Sequence, residues 1–311
     1  MIKILELFGG IGSPRQALIN LGIEHKSIDY VEIDENAVRS YNAMFHHLNE
    51  HKPTSVIGYN LKPDILIHGS PCQDFSRAGT RLGGKDEDKT RSSLMWETIK
   101  IIKNLGVWKP RIIIWENVKG VLDKDMIGTF EKYLIALEEL GYTNNFKVLN
   151  AMDFGIPQKR ERLFTISMLG GGKFDFDKLK NIPTKSIHHF LESDVEHIEK
   201  YIIKSPSMLK KINCKDTRTL TPIKDFVWTI TTKQDRCPNA GIVDLGNNKY
   251  RLLTELECWR LMGFSDESFE KTAKANNLRP KFKNAQLYKQ AGNSIVVPIL
   301  EEIFRVILEK N

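Results

Sequence analysis

IKILELFGGIGSPRQALINL, residues 2–21, reads as a strand, a glycine-rich turn and a helix in immediate succession. Ser13 opens the helix, and Pro14 takes its first position, where a backbone N–H has no partner anyway and the fixed φ already suits the helix. The same grammar repeats outward. SIDYVEI (27–33) reads as a second strand and leads into a helix over 34–45 with Asp34 as N-cap. DILIHG (64–69) and RIIIWENV (111–118) are further strands, with an amphipathic helix over 92–105 between them. A helix over 131–141 ending at Gly141 precedes strands near 144–150 and 162–168. Strands alternating with helices predict an α/β fold: a largely parallel sheet covered on both faces.

The alternation ends near Gly170-Gly171-Gly172. Residues 173–250 are irregular and rich in Lys, Asn and Thr, with a hairpin expected around FVWTITT (226–232). Such a composition shift after three glycines predicts a separate, smaller domain. Helical patterns return after Arg251, and Pro298 marks the first turn of the last one.

Composition narrows the function classes. The chain has 311 residues, 41% hydrophobic and 27% charged, with a formal charge of +7. No run of 18 apolar residues exists, so a transmembrane helix is not expected. The N-terminus reads as a strand and not as a secretory signal. Four cysteines (72, 214, 237, 258) form no CxxC pair and no disulfide framework, which suits a reduced, cytosolic protein. Between Lys204 and Arg236, eight Lys or Arg face three Asp, so this stretch carries most of the net charge. By itself it reads first as a solvated lysine-rich surface and second as a nucleic-acid footprint, and charge alone does not decide.

Four motifs offer chemistry. FGGIG, from Phe8 to Gly12, lets the chain turn sharply beside a helix N-terminus, and Glu32 at the end of the second strand stands where a ribose-binding acid belongs. Together they suit a nucleoside cofactor or a plain structural turn. In GSPCQDFS, Cys72 follows Pro71 just past a strand end, as an exposed nucleophile or a small buried residue. WENV puts Glu116 at another strand end, as a proton donor to a ring nitrogen or a salt-bridge partner. QKRER gives Arg160 and Arg162 alternating spacing and hence one face. They read as a recognition pair for planar oxygens or phosphates, or as an ion-pair ladder with Glu161 nearby.

In this fixed order, FGGIG, PCQ, ENV and QKRER, followed by RLLTELECWRLMGF and QAGNSIVVP, resemble the DNA cytosine-C5 methyltransferase family, and most of all its bacterial, phage- and prophage-borne members. The resemblance runs from the first strand to the last helix, interrupted at 173–250. It implies an α/β, Rossmann-like sheet domain of the S-adenosylmethionine-dependent methyltransferase kind over 1–172, completed by 285–311, with a smaller, irregular target-recognition domain over 173–284. The catalytic residues it implies are Cys72, Glu116, Arg160 and Arg162. The thiolate of Cys72 would add to cytosine C6, Glu116 would hold or protonate N3, and Arg162 would bind O2. Phe8, Gly10, Gly12, Glu32, Ile33, Pro71 and Asn293 are implied for S-adenosyl-L-methionine. Since C5 is inaccessible in a duplex, the cytosine would be rotated out.

For DNA, the resemblance points to Gln73, Ser76 and Arg81 in the loop after Cys72, and to Arg218, Thr219, Thr231, Thr232 and Lys233 beside the threonine-bearing TLT and TITT segments. It implies double-stranded DNA as partner, a cognate restriction endonuclease acting separately, no membrane, and a monomer in the cytoplasm of a bacterial cell or phage-infected host. No metal is expected, since His47 and His51 share a helical face without a third ligand. Two departures stand out: HKPTSVIGYN (51–60) offers no clean acid for the adenine amino group, and Glu6 stands where Asp is commoner. A tRNA-modifying relative would carry a CFT segment, which is absent. A silent DNA-binding relative would lack Cys72 or Glu116, and a dehydrogenase would leave PCQ, ENV and QKRER without a use.

Overall fold

The computed structural model describes residues 1–45, 51, 56, 62–70, 94–212, 220–277 and 279–309. Its first half runs β1 (Ile2–Leu7), α1 (Ser13–Asn20), β2 (His25–Val31), α2 (Glu35–Phe45), β3 (Ile65–His68), α3 (Met95–Asn104), β4 (Ile112–Val118), α4 (Ile127–Glu139) and β5 (Tyr142–Asn150). There follow β6 (Gln158–Lys159), β7 (Glu161–Leu169), α5 (Pro206–Leu209), β8 (Val227–Trp228), β9 (Val243–Asp244) and β10 (Tyr250–Arg251). Among the described residues, four helices follow: α6 (Glu255–Arg260), α7 (Asp266–Ala275), α8 (Ala285–Asn293) and α9 (Val297–Leu308).

Among the described residues, six strands form the central sheet in the order β2-β1-β3-β4-β7-β5. Helical crossovers make β2, β1, β3 and β4 parallel, whereas β7 runs antiparallel to both β4 and β5. The reason is the connection: no helix crosses between β5 and β7, and a short return can only reverse direction. Period-two alternation then sorts the core. Ile4, Ile65, Ile67, Ile112 and Ile114 face one side, against α1, α2 and the C-terminal helices. Leu5, Leu7, Leu66, Ile113 and Trp115 face the other, against α3 and α4.

The first apolar cluster continues through Phe174, Phe176, Ile187 and Phe190 into Trp259, Leu287 and Leu300. A small cluster of Ile203, Leu220, Ile242 and Leu252 packs separately. Among the described residues no helix is long and apolar enough to cross a membrane.

Two local expectations are corrected. Gly12, not Ser13, is the N-cap of α1, in the left-handed region at φ 77°, which places Pro14 one residue further in. FVWTITT forms no hairpin: Val227 and Trp228 pair in parallel with Gln158 and Lys159. Beyond them the ladder is replaced by side chains, because the N–H of Ile230 donates to Gln158 Oε1 and its carbonyl accepts from Arg160. Asp34 caps α2 as expected, accepting from the Asn36 N–H, and a proline lies in the first turn of α9.

Candidate active site

The carboxyl ends of four parallel strands converge, as open α/β sheets require of a binding crevice. After β1 the chain turns at Phe8 (φ 54°), Gly10 (φ 55°) and Gly12 (φ 77°). A Cβ on Gly12 would lie 2.6 Å from the Tyr41 ring, so that turn closes only on glycine; one on Gly10 would meet nothing, so Gly10 borders open space. After β2, Glu32 folds back over this turn. Its Oε2 accepts from Gly10 N–H at 3.0 Å, and its Oε1 from the N–H groups of Ile33 and Asp34 at 2.8 and 2.9 Å. Ile33 beside it is 74% exposed.

A cavity opens beneath, lined by Glu6, Phe8, Gly10, Gly69, Glu116 and Asn293 among others. One turn, two strand ends and the last turn of α8 thus meet at one place, although Asn293 is distant in sequence. Glu6 is buried, with Oε2 accepting from Tyr41 at 2.6 Å and from Ser27 at 3.1 Å. Its Oε1 is buried without a partner among the described residues. Burial pushes its carboxyl pKa up, against the opposing pull of Tyr41 and Arg15.

These features fit S-adenosylmethionine. The orphan oxygen of Glu6 seeks a donor, Glu32 keeps one of about four carboxylate acceptor directions free, and exposed Ile33 offers an apolar face. Asp64 is not the missing adenine contact: it hydrogen-bonds Lys3 at the opposite, amino-terminal end of β1.

Glu116 and Arg162 form an ion pair. Arg162 Nε lies 3.3 Å from Glu116 Oε1, with both side chains largely buried. Burial raises the Glu116 carboxyl pKa, and the charges of Arg162 and Arg160 pull it partly back. A carboxyl so placed can hold a proton where a solvated one could not. On the opposite face of β4, Trp115 Nε1 donates to Ser70 Oγ at 3.0 Å, which anchors the chain two residues before Cys72. His68 stacks on Trp115 and hydrogen-bonds Tyr133 at 2.8 Å. Burial lowers its pKa to about 3, so it is a neutral packing group.

Arg160 stands apart from Arg162. Only 2% exposed, it donates to the carbonyls of Ile230, Gly292 and Ser294. Glu161 between them forms a surface ion pair with Lys119. Thr231 and Thr232 lie with their backbone against Gly292, and Lys233 is exposed. Pro71, Cys72, Gln73, Ser76, Arg81, Arg218 and Thr219 fall outside the described residues. Gln158, which the motif reading does not single out, shares its spacing with Arg160 and Arg162 and is fully buried. The signal was in QKRER itself: a glutamine two residues before two arginines continues the same face.

Comparison with known proteins agrees with this geometry. Residues 2–309 match the family described as C-5 cytosine-specific DNA methylase. The type II methyltransferase M2.ScrFI of Lactococcus lactis subsp. cremoris is 33% identical, covering 98% of this chain and 98% of its own. The orphan methyltransferase M.SPRI of Bacillus phage SPR is 26% identical over 99% and 97%. The crystal structure of S. pombe Dnmt2 methyltransferase shares the fold with a TM-score of 0.78 at 20% identity, covering 99% of each chain. The chain belongs to the C-5 cytosine-specific DNA methylase family and is an S-adenosylmethionine-dependent DNA cytosine-C5 methyltransferase.

Proposed function

We propose that the cavity at the strand ends seats S-adenosylmethionine beside a cytosine rotated out of duplex DNA, and that Cys72, Glu116 and Arg162 act on the base. The observation that carries this reading is Glu116, which lines the cavity that Phe8, Gly10 and Asn293 also border and is paired there with Arg162. Cytosine C5 is a poor nucleophile while the ring is aromatic. Addition of the Cys72 thiolate at C6 breaks that aromaticity and moves electron density toward N3 and O2. Glu116, its pKa raised by burial, supplies the proton that N3 then holds, and Arg162 donates to O2 as negative charge develops there. S-adenosylmethionine supplies the electrophilic methyl that C5 accepts. N3 returns its proton to Glu116, and loss of the C5 proton to water lets Cys72 leave and restores the aromatic ring.

On this reading Phe8 and Ile33 bracket the adenine, Glu32 accepts from the ribose hydroxyls, and Gly10, Gly12, Pro71 and Asn293 shape the methionine end. Residues 1–172 with 285–311 carry catalysis, and 173–284 choose the target. The separate cluster of Ile203, Leu220, Ile242 and Leu252 supports a target-reading unit with its own packing. Arg218, Thr219, Thr231, Thr232 and Lys233 face the duplex, joined by Gln73, Ser76 and Arg81. The protein works as a cytoplasmic monomer in a bacterium or phage-infected cell beside a separately acting restriction endonuclease, a setting suggested by its type II relatives.

Bisulfite sequencing of plasmid DNA from cells expressing the protein tests the reading. One protected cytosine in one recurring short sequence is expected, lost in Cys72→Ala. Uniform conversion in cells with abundant folded protein would overturn it.

A further inference from the structure

Gln158 and Arg160 grip both main-chain polar groups of one residue. The N–H of Ile230 donates to Gln158 Oε1 at 3.0 Å, and the carbonyl of Ile230 accepts from Arg160 Nη1 at 2.9 Å. The other arm of the guanidinium crosses to a different part of the chain. Arg160 Nη2 donates to the carbonyls of Gly292 (3.1 Å) and Ser294 (2.9 Å), which flank Asn293. Gln158 Nε2 is anchored in turn on the Leu261 carbonyl at 2.9 Å. The two segments so joined also touch directly. A Cβ on Gly292 would lie 2.4 Å from the Thr232 nitrogen and 2.5 Å from the Thr231 carbonyl carbon, so only glycine admits this approach.

We propose that Arg160, with Gln158, is a positioning residue that locks the Ile230–Thr232 segment onto the Gly292–Ser294 turn, and is not a group that touches the cytosine. This rests on the reading above, in which residues 231–233 face DNA while Asn293 borders the cofactor. Three of the five guanidinium N–H donors go to main-chain carbonyls in a geometry that a planar fork holds and a single ammonium does not. The side chain is 2% exposed, which leaves little surface for a substrate. The consequence is mechanical. A duplex pressing on 231–233 and a cofactor pressing on 293 act on the two halves of one joint, so each ligand alters the affinity for the other by the same factor.

Two variants separate this role from the charge that Arg160 exerts on Glu116. Arg160→Lys keeps the charge and loses the fork. Gly292→Ala keeps both and forces the segments apart. The probes are S-adenosylmethionine and a duplex bearing the mapped site. Wild type should bind the cofactor about tenfold more tightly when the duplex is bound, within the usual range of coupling between sites. In both variants that ratio should fall to within roughly twofold of unity, and the KM for DNA should rise about tenfold. Most of the loss should sit in KM, with kcat at saturation within about threefold and its pH profile unmoved. A folded Arg160→Lys whose kcat drops on the order of a hundredfold while the ratio stays at the wild-type value would make Arg160 catalytic and overturn the proposal. A wild-type ratio near unity, with both ligands bound, overturns it even if neither variant folds. Wild type that binds no cofactor at all would overturn the reading beneath it instead.

Discussion

Glu116 and Arg162 meet at 3.3 Å although neither is the other's partner in the ladder: Glu116 stands opposite Phe164, and Arg162 opposite Val118. The two are diagonal neighbours on one face of the antiparallel β4–β7 pair, a separation that only a long side chain spans. The pair therefore exists because β7 reverses direction. The same reversal brings QKRER to the strand end where ENV stops, next to the turn that leads to Cys72.

The buried carboxyl makes the active site a stability liability of definite sign. Burial raises the Glu116 pKa above its unfolded value. Between those two values the native state holds a proton that the unfolded state has released, so stability falls as pH rises through that window. Below the ordinary carboxylate range, near pH 4, the penalty is absent. Glu116→Gln should therefore raise Tm by about 1–3 °C at neutral pH and give no gain below about pH 4, while slowing methylation. Calorimetric scans across pH would check this, and an equal gain at all pH values would assign the effect to packing.

Glu32 anchors two things at once. Its carboxylate accepts one backbone N–H from the FGGIG turn and two from Ile33 and Asp34, and retains one acceptor direction for a ribose hydroxyl. Glu32→Ala should weaken S-adenosylmethionine binding by about 1.5–3 kcal/mol while leaving affinity for duplex DNA nearly intact. Titration calorimetry reads the first and a gel-shift assay the second. Unchanged cofactor affinity would remove Glu32 from the site.

What could be read from sequence was local. FGGIG, WENV and the strand–helix alternation declare themselves within a dozen residues, because glycine turns and period-two apolar runs are properties of neighbouring positions. The partners of Arg160 lie 70, 132 and 134 residues away. Alternating spacing alone pairs it with Arg162, and nothing local shows that its fork is taken by carbonyls. FVWTITT misled for the same reason. Its β-branched run suits a hairpin, but the strand it joins is Gln158–Lys159. In the sequence, Glu6 stands out only as a departure from Asp. Its orphan oxygen emerges when Ser27 and Tyr41 close over the other one.

Gly12 is a position where one methyl should be felt twice. Its φ of 77° is strained for any other residue, and a Cβ would strike Tyr41 at 2.6 Å and Phe45 at 2.8 Å. Tyr41 holds Glu6, so a displaced ring also disturbs the cavity. Gly12→Ala should cost about 2–4 kcal/mol of stability, combining left-handed strain with overpacking. Denaturant titration measures it, and a loss under about 0.5 kcal/mol would mean the turn relaxes freely.

The C-terminal half depends on one buried ion pair. Arg251 grips Glu257 with both nitrogens at 2.8 and 2.7 Å, and both side chains are almost fully buried. Glu257 also closes the capping box of α6 with Thr254. Arg251→Ala leaves that carboxylate buried and uncompensated, and should cost about 3–5 kcal/mol. The double variant with Glu257→Gln should recover part of that loss, which a double-mutant cycle by thermal unfolding would show.

The covalent step can be arrested chemically. If Cys72 adds to C6 and C5 accepts a methyl, the ring regains aromaticity only when the C5 substituent departs as a cation. A proton does so readily, whereas fluorine does not. A duplex with 5-fluorocytosine at the mapped target should therefore be methylated once and then remain bound through the Cys72 sulfur. Its signature is a protein–DNA band that survives denaturation, requires S-adenosylmethionine and disappears in Cys72→Ser. The serine hydroxyl is essentially un-ionised near neutral pH, where a free thiol already supplies a few per cent thiolate. Glu116→Gln should slow adduct formation, since N3 can no longer be protonated as the ring loses aromaticity. Arg162→Lys should slow it too, since one ammonium replaces the planar fork at O2. If the active wild-type enzyme turned over the fluorinated duplex without forming the band, nucleophilic addition by Cys72 would have to be abandoned. A band formed on tRNA but never on duplex DNA would preserve the chemistry and reassign the substrate.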